Sequence, residues 1–354
     1  MTASYRWVQW NKHKKVYDLA IGIACLAFLG VFVGVGMATH GAPSDISPPL
    51  LVLRGLAVLG IVLLHVILLI GPLARLSDRF APLLYNRRHL GVTFFFVALG
   101  HGLLAMIYYG GFGVRNPASA LLDGYSSFGS ISGFPFEILG FLALLIFFVM
   151  AATSHDFWLA NLTPRVWKAI HMGVYVGYAL VVLHVVLGAL QSERSPVFAV
   201  ALVVGVALVV TLHTVAGWRE WRRDRLGVAS DAGWIDACAA SELVVDEGRV
   251  MALDSGERIA VFRTDEGVVA MTNTCSHQGG PLGEGKIVGG CVTCPWHGYQ
   301  YRPNDGQSPP PYTEKLPTYN VRIVGGRVQV QSEANEAGAL TTPARVPDAD
   351  GGAG

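Results

Sequence analysis

Residues 275–298 read Cys-Ser-His-Gln-Gly-Gly-Pro-Leu-Gly-Glu-Gly-Lys-Ile-Val-Gly-Gly-Cys-Val-Thr-Cys-Pro-Trp-His-Gly. The stretch opens on a Cys-x-His pair, Cys275 and His277. It closes on a Cys-x-x-His pair, Cys294 and His297, with sixteen residues between the pairs. Two thiolates and two imidazoles on paired loops match a 2Fe–2S centre in which the thiolates hold one iron and the imidazoles the other, so that each loop serves both irons. Gly279, Gly280 and Pro281 follow the first pair and Gly298 follows the second, as tight backbone turns around a cluster require. Zinc also takes two Cys and two His, but with other spacings. The expected ligands of one cluster per chain are therefore Cys275, His277, Cys294 and His297. Three further Cys remain, Cys25, Cys238 and Cys291. Cys291 lacks the Cys294 spacing to His297 and reads as a free thiol. An odd count without paired spacing argues against an oxidising compartment.

The stretch Val292-Thr293-Cys294-Pro295-Trp296-His297-Gly298 resembles the Rieske ferredoxin family, and the likeness covers roughly residues 231–331. The quinol-oxidising branch of that family carries two further Cys that form a disulfide; here those positions are Gly280 and Trp296. That branch also has a Ser shortly after the last ligand, bonded to a cluster sulfide, where this chain has Tyr299. Fewer hydrogen bonds to sulfur lower the potential, so the resemblance implies a ferredoxin-like electron carrier.

The chain outside this stretch has a different character. It has 354 residues, with 14% charged and 52% hydrophobic, and a mean hydropathy of +0.44. Charges are scarce over residues 17–217 and ordinary beyond them, which places a membrane domain before a soluble one. A formal charge of +1 gives no reason to expect nucleic acid as a partner. Six apolar stretches, near 17–38, 50–71, 89–109, 135–153, 169–190 and 196–217, approach the roughly 20 helical residues that cross a bilayer. The first is too long for the apolar core of a signal peptide and reads as an anchor. The expected architecture is a six-span all-α membrane helix bundle followed by a small antiparallel all-β domain. Its segments are an N-terminal piece at 1–16, the spans at 17–217, a linker at 218–230, the cluster domain at 231–331 and a disordered tail at 332–354. Arg6, Lys12, Lys14, Lys15, Arg75, Arg79, Arg87, Arg88, Arg165, Lys168, Arg219, Arg222, Arg223 and Arg225 all fall on one side of such a bundle. By the positive-inside rule that side is cytoplasmic, and it holds both termini and the cluster domain. The far-side loop, 110–134, is long enough to suggest an acceptor or docking site.

Histidines inside apolar spans are costly and usually functional. The third span carries His89 and His101, and the fifth carries His171 and His184. His101 lies thirteen residues beyond Arg88 and His184 sixteen beyond Lys168, so the two share a depth to within about 5 Å. Such a pair can fill both axial positions of a haem iron. His101 with His184 are the expected outer ligands. For an inner haem the candidates are His171 with His89 or His65. The steps from His89 to His101 and from His171 to His184 rotate by about 120° and 220°, so spacing alone leaves one or two b-type haems open. Glu137 is the carboxylate noted inside a later span.

Arg87-Arg88-His89-Leu90-Gly91 with His101, and Trp167-Lys168-Ala169-Ile170-His171 with His184, resemble the ferric-reductase-like transmembrane family, over about residues 50–217. That family includes NADPH oxidases, iron reductases and the haem subunit of a periplasmic methionine sulfoxide reductase system. In its two-haem members the inner His of the third span falls near Arg87. Together the two resemblances imply an oxidoreductase component in a bacterial inner membrane. It would take electrons from a cytosolic ferredoxin or flavin reductase through the cluster, then through haem b, to a periplasmic or membrane acceptor. A quinone-linked subunit of a respiratory complex and a non-catalytic membrane anchor are the alternatives.

Overall fold

The computed structural model describes residues 12–39, 47–84, 86–114, 116, 119, 134–155, 158, 162, 164–193, 195–224, 228–229, 233–253, 256–277, 279–295, 298–310 and 312–346. The chain divides into two compact units. One comprises Arg6–Pro72 and Asn86–His213; the other comprises Met1–Tyr5, Leu73–Tyr85 and Thr214–Gly354.

The first unit is helical because its sequence is apolar on every face, which suits a helix in lipid, where all backbone hydrogen bonds must close within the segment. The main helices are α1 (Lys12–Thr39), α2 (Pro48–Leu76), α3 (Arg87–Tyr109), α4 (Glu137–Ala152), α5 (Pro164–Leu187) and α6 (Pro196–Asp224). Five of these are long and apolar enough to cross a membrane. The fourth predicted span, α4, has 16 residues and so a length of about 24 Å, short of a full crossing. Most of the 110–134 loop lies outside the described residues. The sequence expects a linker at 218–230, but α6 continues to Asp224, with the Arg222 guanidinium 4.2 Å over the Trp218 ring one turn earlier. That stacking shields the cation and extends the helix.

Inside the bundle, Phe94 of α3 meets Phe147 of α4 edge to face at 4.9 Å. A polar clasp joins three other helices. His65 of α2 holds the Ile61 carbonyl through Nδ1 at 2.7 Å, which leaves Nε2 to accept from the Tyr178 hydroxyl of α5 at 3.0 Å. A Cβ at Gly205 of α6 would stand 2.4 Å from that Nε2. Gly205→Ala must displace a ring held at both nitrogens, and is expected to destabilise the bundle by about 1–3 kcal/mol. The check is a lower apparent Tm in detergent, partly regained when His65 is also shortened to alanine.

The second unit ends in a small β domain. β1 (Val228–Ala229), β2 (Trp234–Ala239), β11 (Arg327–Gln331) and β10 (Val321–Val324) form one antiparallel sheet in that order. β3 (Gly248–Ala252), β4 (Arg258–Thr264), β5 (Gly267–Thr272) and β9 (Thr318–Tyr319) form a second. β6 (Lys286–Val288), β7 (Cys291–Thr293) and β8 (Gln300–Tyr301) form a third. Alternating apolar side chains of β4 and β5 face two cores, one with Ile259, Val261, Val268 and Ala270, the other with Ala260, Phe262, Val269 and Met271. The second core also contains Cys275 and Cys294. Gly325 and Gly326 join β10 to β11 with φ of 57° and 75°, the left-handed pair that a two-residue hairpin needs.

The expected tail beginning at residue 332 is not free. Val268 and Ala344 exchange both backbone hydrogen bonds, at 2.8 and 2.9 Å. Thr341 donates to the Asn304 carbonyl at 2.7 Å, and Gln307 donates to that of Gly338 at 3.0 Å. The segment is polar in composition, but its backbone is satisfied by the domain it crosses. Residues 347–354 lie outside the described residues.

Candidate functional site

Two loops frame the cluster candidate. Cys275 follows β5 and Cys294 follows β7 directly. The loops fold alike. The Cys275 amide donates to the Gly280 carbonyl at 2.9 Å, and the Gly279 amide returns to the Cys275 carbonyl at 2.8 Å. The Cys294 amide donates to Tyr299 at 2.8 Å, and the Gly298 amide to Cys294 at 2.9 Å. In each loop the fourth residue after Cys is a glycine at positive φ, 71° at Gly279 and 68° at Gly298, where a side chain would strain the backbone. This repeat explains the glycines beside both pairs.

Both cysteines are turned inward, at 1% and 2% exposure, and neither is in a disulfide. The Nδ1 of His277 is sealed from solvent, and its ring stacks on Tyr299 at 5.0 Å and 10°. Tyr299 thus covers one face of the ring. Two inward thiols and an inward imidazole nitrogen form the soft donor set that iron–sulfur clusters use. His297, the fourth expected ligand, lies outside the described residues. Among those residues no three His, Cys, Asp or Glu side chains close on a single ion, and a cluster that splits its ligands over two irons does not demand that. Cys291 sits in β7, apart from the loop pattern, and burial pushes its thiol up.

Tyr301 of β8 was not foreseen. Its hydroxyl lies 3.1 Å from the Ser276 amide, which donates to it, and 2.7 Å from Ser276 Oγ. It lies 3.3 Å from Cys275 Sγ. Burial first, then Cys275, hold the phenol well above its ordinary pKa, so it keeps its proton and can donate to a thiolate at that sulfur. A Tyr two residues after Tyr299, on a strand returning beside the first loop, was the available signal. This hydrogen bond offsets part of the loss inferred from Tyr299 standing in place of Ser. With a net worth of about 1–1.5 kcal/mol, and 59 mV per tenfold for one electron, Tyr301→Phe is expected to lower the cluster potential by roughly 40–65 mV at unchanged iron content. Redox titration followed by EPR checks this.

The second candidate lies in the helical unit. His101 and His184 face each other with ring centroids 6.4 Å apart at 82°. His101 Nδ1 holds the Leu53 carbonyl at 3.1 Å, and His184 Nδ1 holds that of Phe136 at 2.9 Å. Each ring is thus fixed in the tautomer that leaves Nε2 bare, the second-shell arrangement of metal-bound histidines. Two imidazole nitrogens about 2 Å from a shared metal put ring centres roughly 6 Å apart, close to the spacing seen. Room for His184 comes from Gly140, where a Cβ would stand 2.8 Å from its Nδ1. The carbonyls of Leu53 and Phe136 and the gap at Gly140 carry no signal in the sequence.

The inner candidates each have partners of their own. His171 holds the Trp167 carbonyl at 3.0 Å through Nδ1 and meets Ser154 Oγ at 3.3 Å through Nε2. His89 Nδ1 pairs with Asp18 at 2.9 Å, and His65 is held in the clasp with Tyr178. Asp18, at the start of the first span, was the missed partner. Arg87 donates Nε–H to the Ile67 carbonyl at 3.1 Å.

Comparison with known proteins resolves both regions. Residues 233–320 match the Rieske [2Fe-2S] domain, and residues 56–182 match the ferric reductase like transmembrane component. A ferredoxin subunit of anthranilate 1,2-dioxygenase from Burkholderia cepacia is 36% identical over 104 residues, 29% of this chain and 94% of that protein. The chain belongs to the Rieske [2Fe-2S] family, joined to a ferric-reductase-like transmembrane component. The Rieske region is also 46% identical over 67 residues to cholesterol 7-desaturase nvd of Xenopus laevis; the match covers 18% of this chain and spans only 15% of that protein. Among solved structures, a chain in the complex of oxygenase and ferredoxin of carbazole 1,9a-dioxygenase is 28% identical, with 30% of this chain and 99% of that one covered and a TM-score of 0.28. The Rieske domain supports a 2Fe–2S cluster, and the membrane component supports haem. The protein is a membrane protein built from oxidoreductase-type parts.

Proposed function

We propose that this chain is a transmembrane one-electron conduit. It takes electrons at the Rieske domain from a cytosolic ferredoxin or flavin reductase, and gives them to an acceptor on the opposite side of a bacterial inner membrane. The facing His101 and His184 rings, each pinned by a carbonyl, carry the reading. Bound 2Fe–2S cluster and haem b each exchange single electrons. Cys275, His277, Cys294 and His297 would hold the first, with the Tyr301 hydroxyl donating to Cys275 Sγ. His101 and His184 would hold the second, while the apolar helices around them exclude water. His171 and His65 each have a partner at Nε2, which supports one haem per chain. Lys and Arg in alternate loops support a cytoplasmic Rieske domain.

The relatives of the Rieske region include a ferredoxin subunit of a dioxygenase system, which supports a carrier role. The test is the absorption spectrum of purified protein under reductive titration. A haem-to-protein ratio near one, together with a separate 2Fe–2S signal, is the expected result. No haem would leave a membrane-anchored Rieske domain and overturn the conduit.

A further inference from the structure

Asn273 follows β5 directly and stands two residues before Cys275. It is 3% exposed, and a buried amide side chain has to find its partners within the protein. In turns, asparagine ordinarily bonds the backbone two residues on. Here Oδ1 instead accepts from the Gly283 amide, ten positions along, at 2.7 Å. The Asn273 carbonyl accepts from the Leu282 amide at 2.8 Å, and the Asn273 amide donates to the Arg258 carbonyl of β4 at 2.9 Å. Thr274 and Pro281 pair one step further out. The loop that carries Cys275 and His277 is therefore closed at its neck, and a single residue holds both sides of the neck to the sheet.

The residues held there lead straight to the second loop. Leu282 is fully buried in the core that contains Cys275 and Cys294. Gly285 follows the turn Leu282–Glu284. β6 then begins at Lys286, which pairs with Thr293, the residue before Cys294. A Cβ at Gly285 would collide with the Thr293 carbonyl oxygen and stand 3.2 Å from Pro295 Cδ. The φ of Gly285 is −88°, which any residue adopts, so glycine is there for space. The end of the first loop thus lies against the base of the second.

We propose that Asn273 is a positioning residue for the 2Fe–2S cluster. By tying Leu282 and Gly283 to the end of β5, it sets the spacing between the loop of Cys275 and His277 and the loop of Cys294 and His297. It acts through the backbone of the first loop, not on the irons. A cluster whose ligands are split over two loops keeps its geometry only while the loops keep theirs. The inference rests on the ligand set proposed above, which Cys275→Ser tests by loss of the signal altogether.

The experiment uses the full-length protein in detergent, wild type beside Asn273→Ala, Asn273→Asp and Val328→Ala. Alanine leaves the buried Gly283 amide without its acceptor, whereas aspartate keeps an oxygen in that place. Val328 is buried in the other core, so its truncation reports what a general loss of stability does. Asn273→Ala is expected to shift the g-values of the reduced-cluster EPR signal and to lose iron to a chelator about tenfold faster or more, the scale of one unsatisfied buried group. Asn273→Asp is expected to keep the wild-type g-values and chelation rate. Val328→Ala is expected to melt at a lower temperature with wild-type g-values. If the alanine variant retains no cluster, retention in Asn273→Asp supports the inference and loss there overturns it. Wild-type g-values in Asn273→Ala, or the same shift in Val328→Ala, overturn the inference while the ligand set stands. A wild type without a cluster signal overturns both.

Discussion

Protein purified with His184 replaced by alanine is expected to lose its haem. His101 and His184 stand at the spacing of two ligands on one metal, and each ring is oriented by a backbone carbonyl. Losing only such an orienting partner costs roughly 10–100-fold in metal affinity; losing a ligand is expected to exceed the upper end of that range. The haem-to-protein ratio should fall from near one to a small residue, and the six-coordinate low-spin spectrum should go with it. His184→Met separates ligand loss from misfolding. Methionine can take an axial position and raises the potential, so this variant should keep haem at a more positive midpoint. His171→Ala should leave the ratio unchanged, because that imidazole faces Ser154. A wild-type ratio near two, halved in either alanine variant, would sink the one-haem reading.

The second large effect is expected from Cys275→Ser. The thiol is 1% exposed and lies 3.3 Å from the Tyr301 hydroxyl. Serine offers a hard, poorly ionised oxygen where iron–sulfur chemistry uses thiolate. The EPR signal of the reduced cluster should vanish, with far-UV circular dichroism nearly unchanged, since the loop is held by backbone bonds that serine can also make. Cys291→Ser should leave the signal intact. Haem reduction by a cytosolic ferredoxin should also be lost in Cys275→Ser, while dithionite still reduces the haem. Retention of the signal in Cys275→Ser, or its loss in Cys291→Ser, would reject the proposed ligand set.

The parts of this molecule that could be read from sequence are those where chemistry forces spacing. Two Cys-His pairs with glycines behind them imposed the cluster loops, and apolar runs imposed the helices. The depth of His101 and His184 followed from helical rise alone. Other features depend on which helix lies beside which, and no local pattern encodes that. The Leu53 and Phe136 carbonyls that orient the two rings are backbone atoms of apolar residues. Gly140 and Gly205 look like any membrane glycine until a neighbouring ring is seen against them. The pairing of His89 with Asp18 joins residues 71 positions apart. Tyr301 belongs between these cases: its position along the chain was visible, but its reach to Cys275 required the return of β8 past the first loop.

The segment after β11 has a consequence for anyone who would cut the Rieske domain free. Ala344 occupies the backbone positions of Val268 that neither β4 nor β9 fills, and its carbonyl fits closely because residue 267 is glycine. A fragment ending at Gln331 would bare that stretch of β5 as an open strand edge, the surface on which chains stack and precipitate. A soluble, monomeric fragment has to carry its own last fifteen residues, through Val346, as a cap.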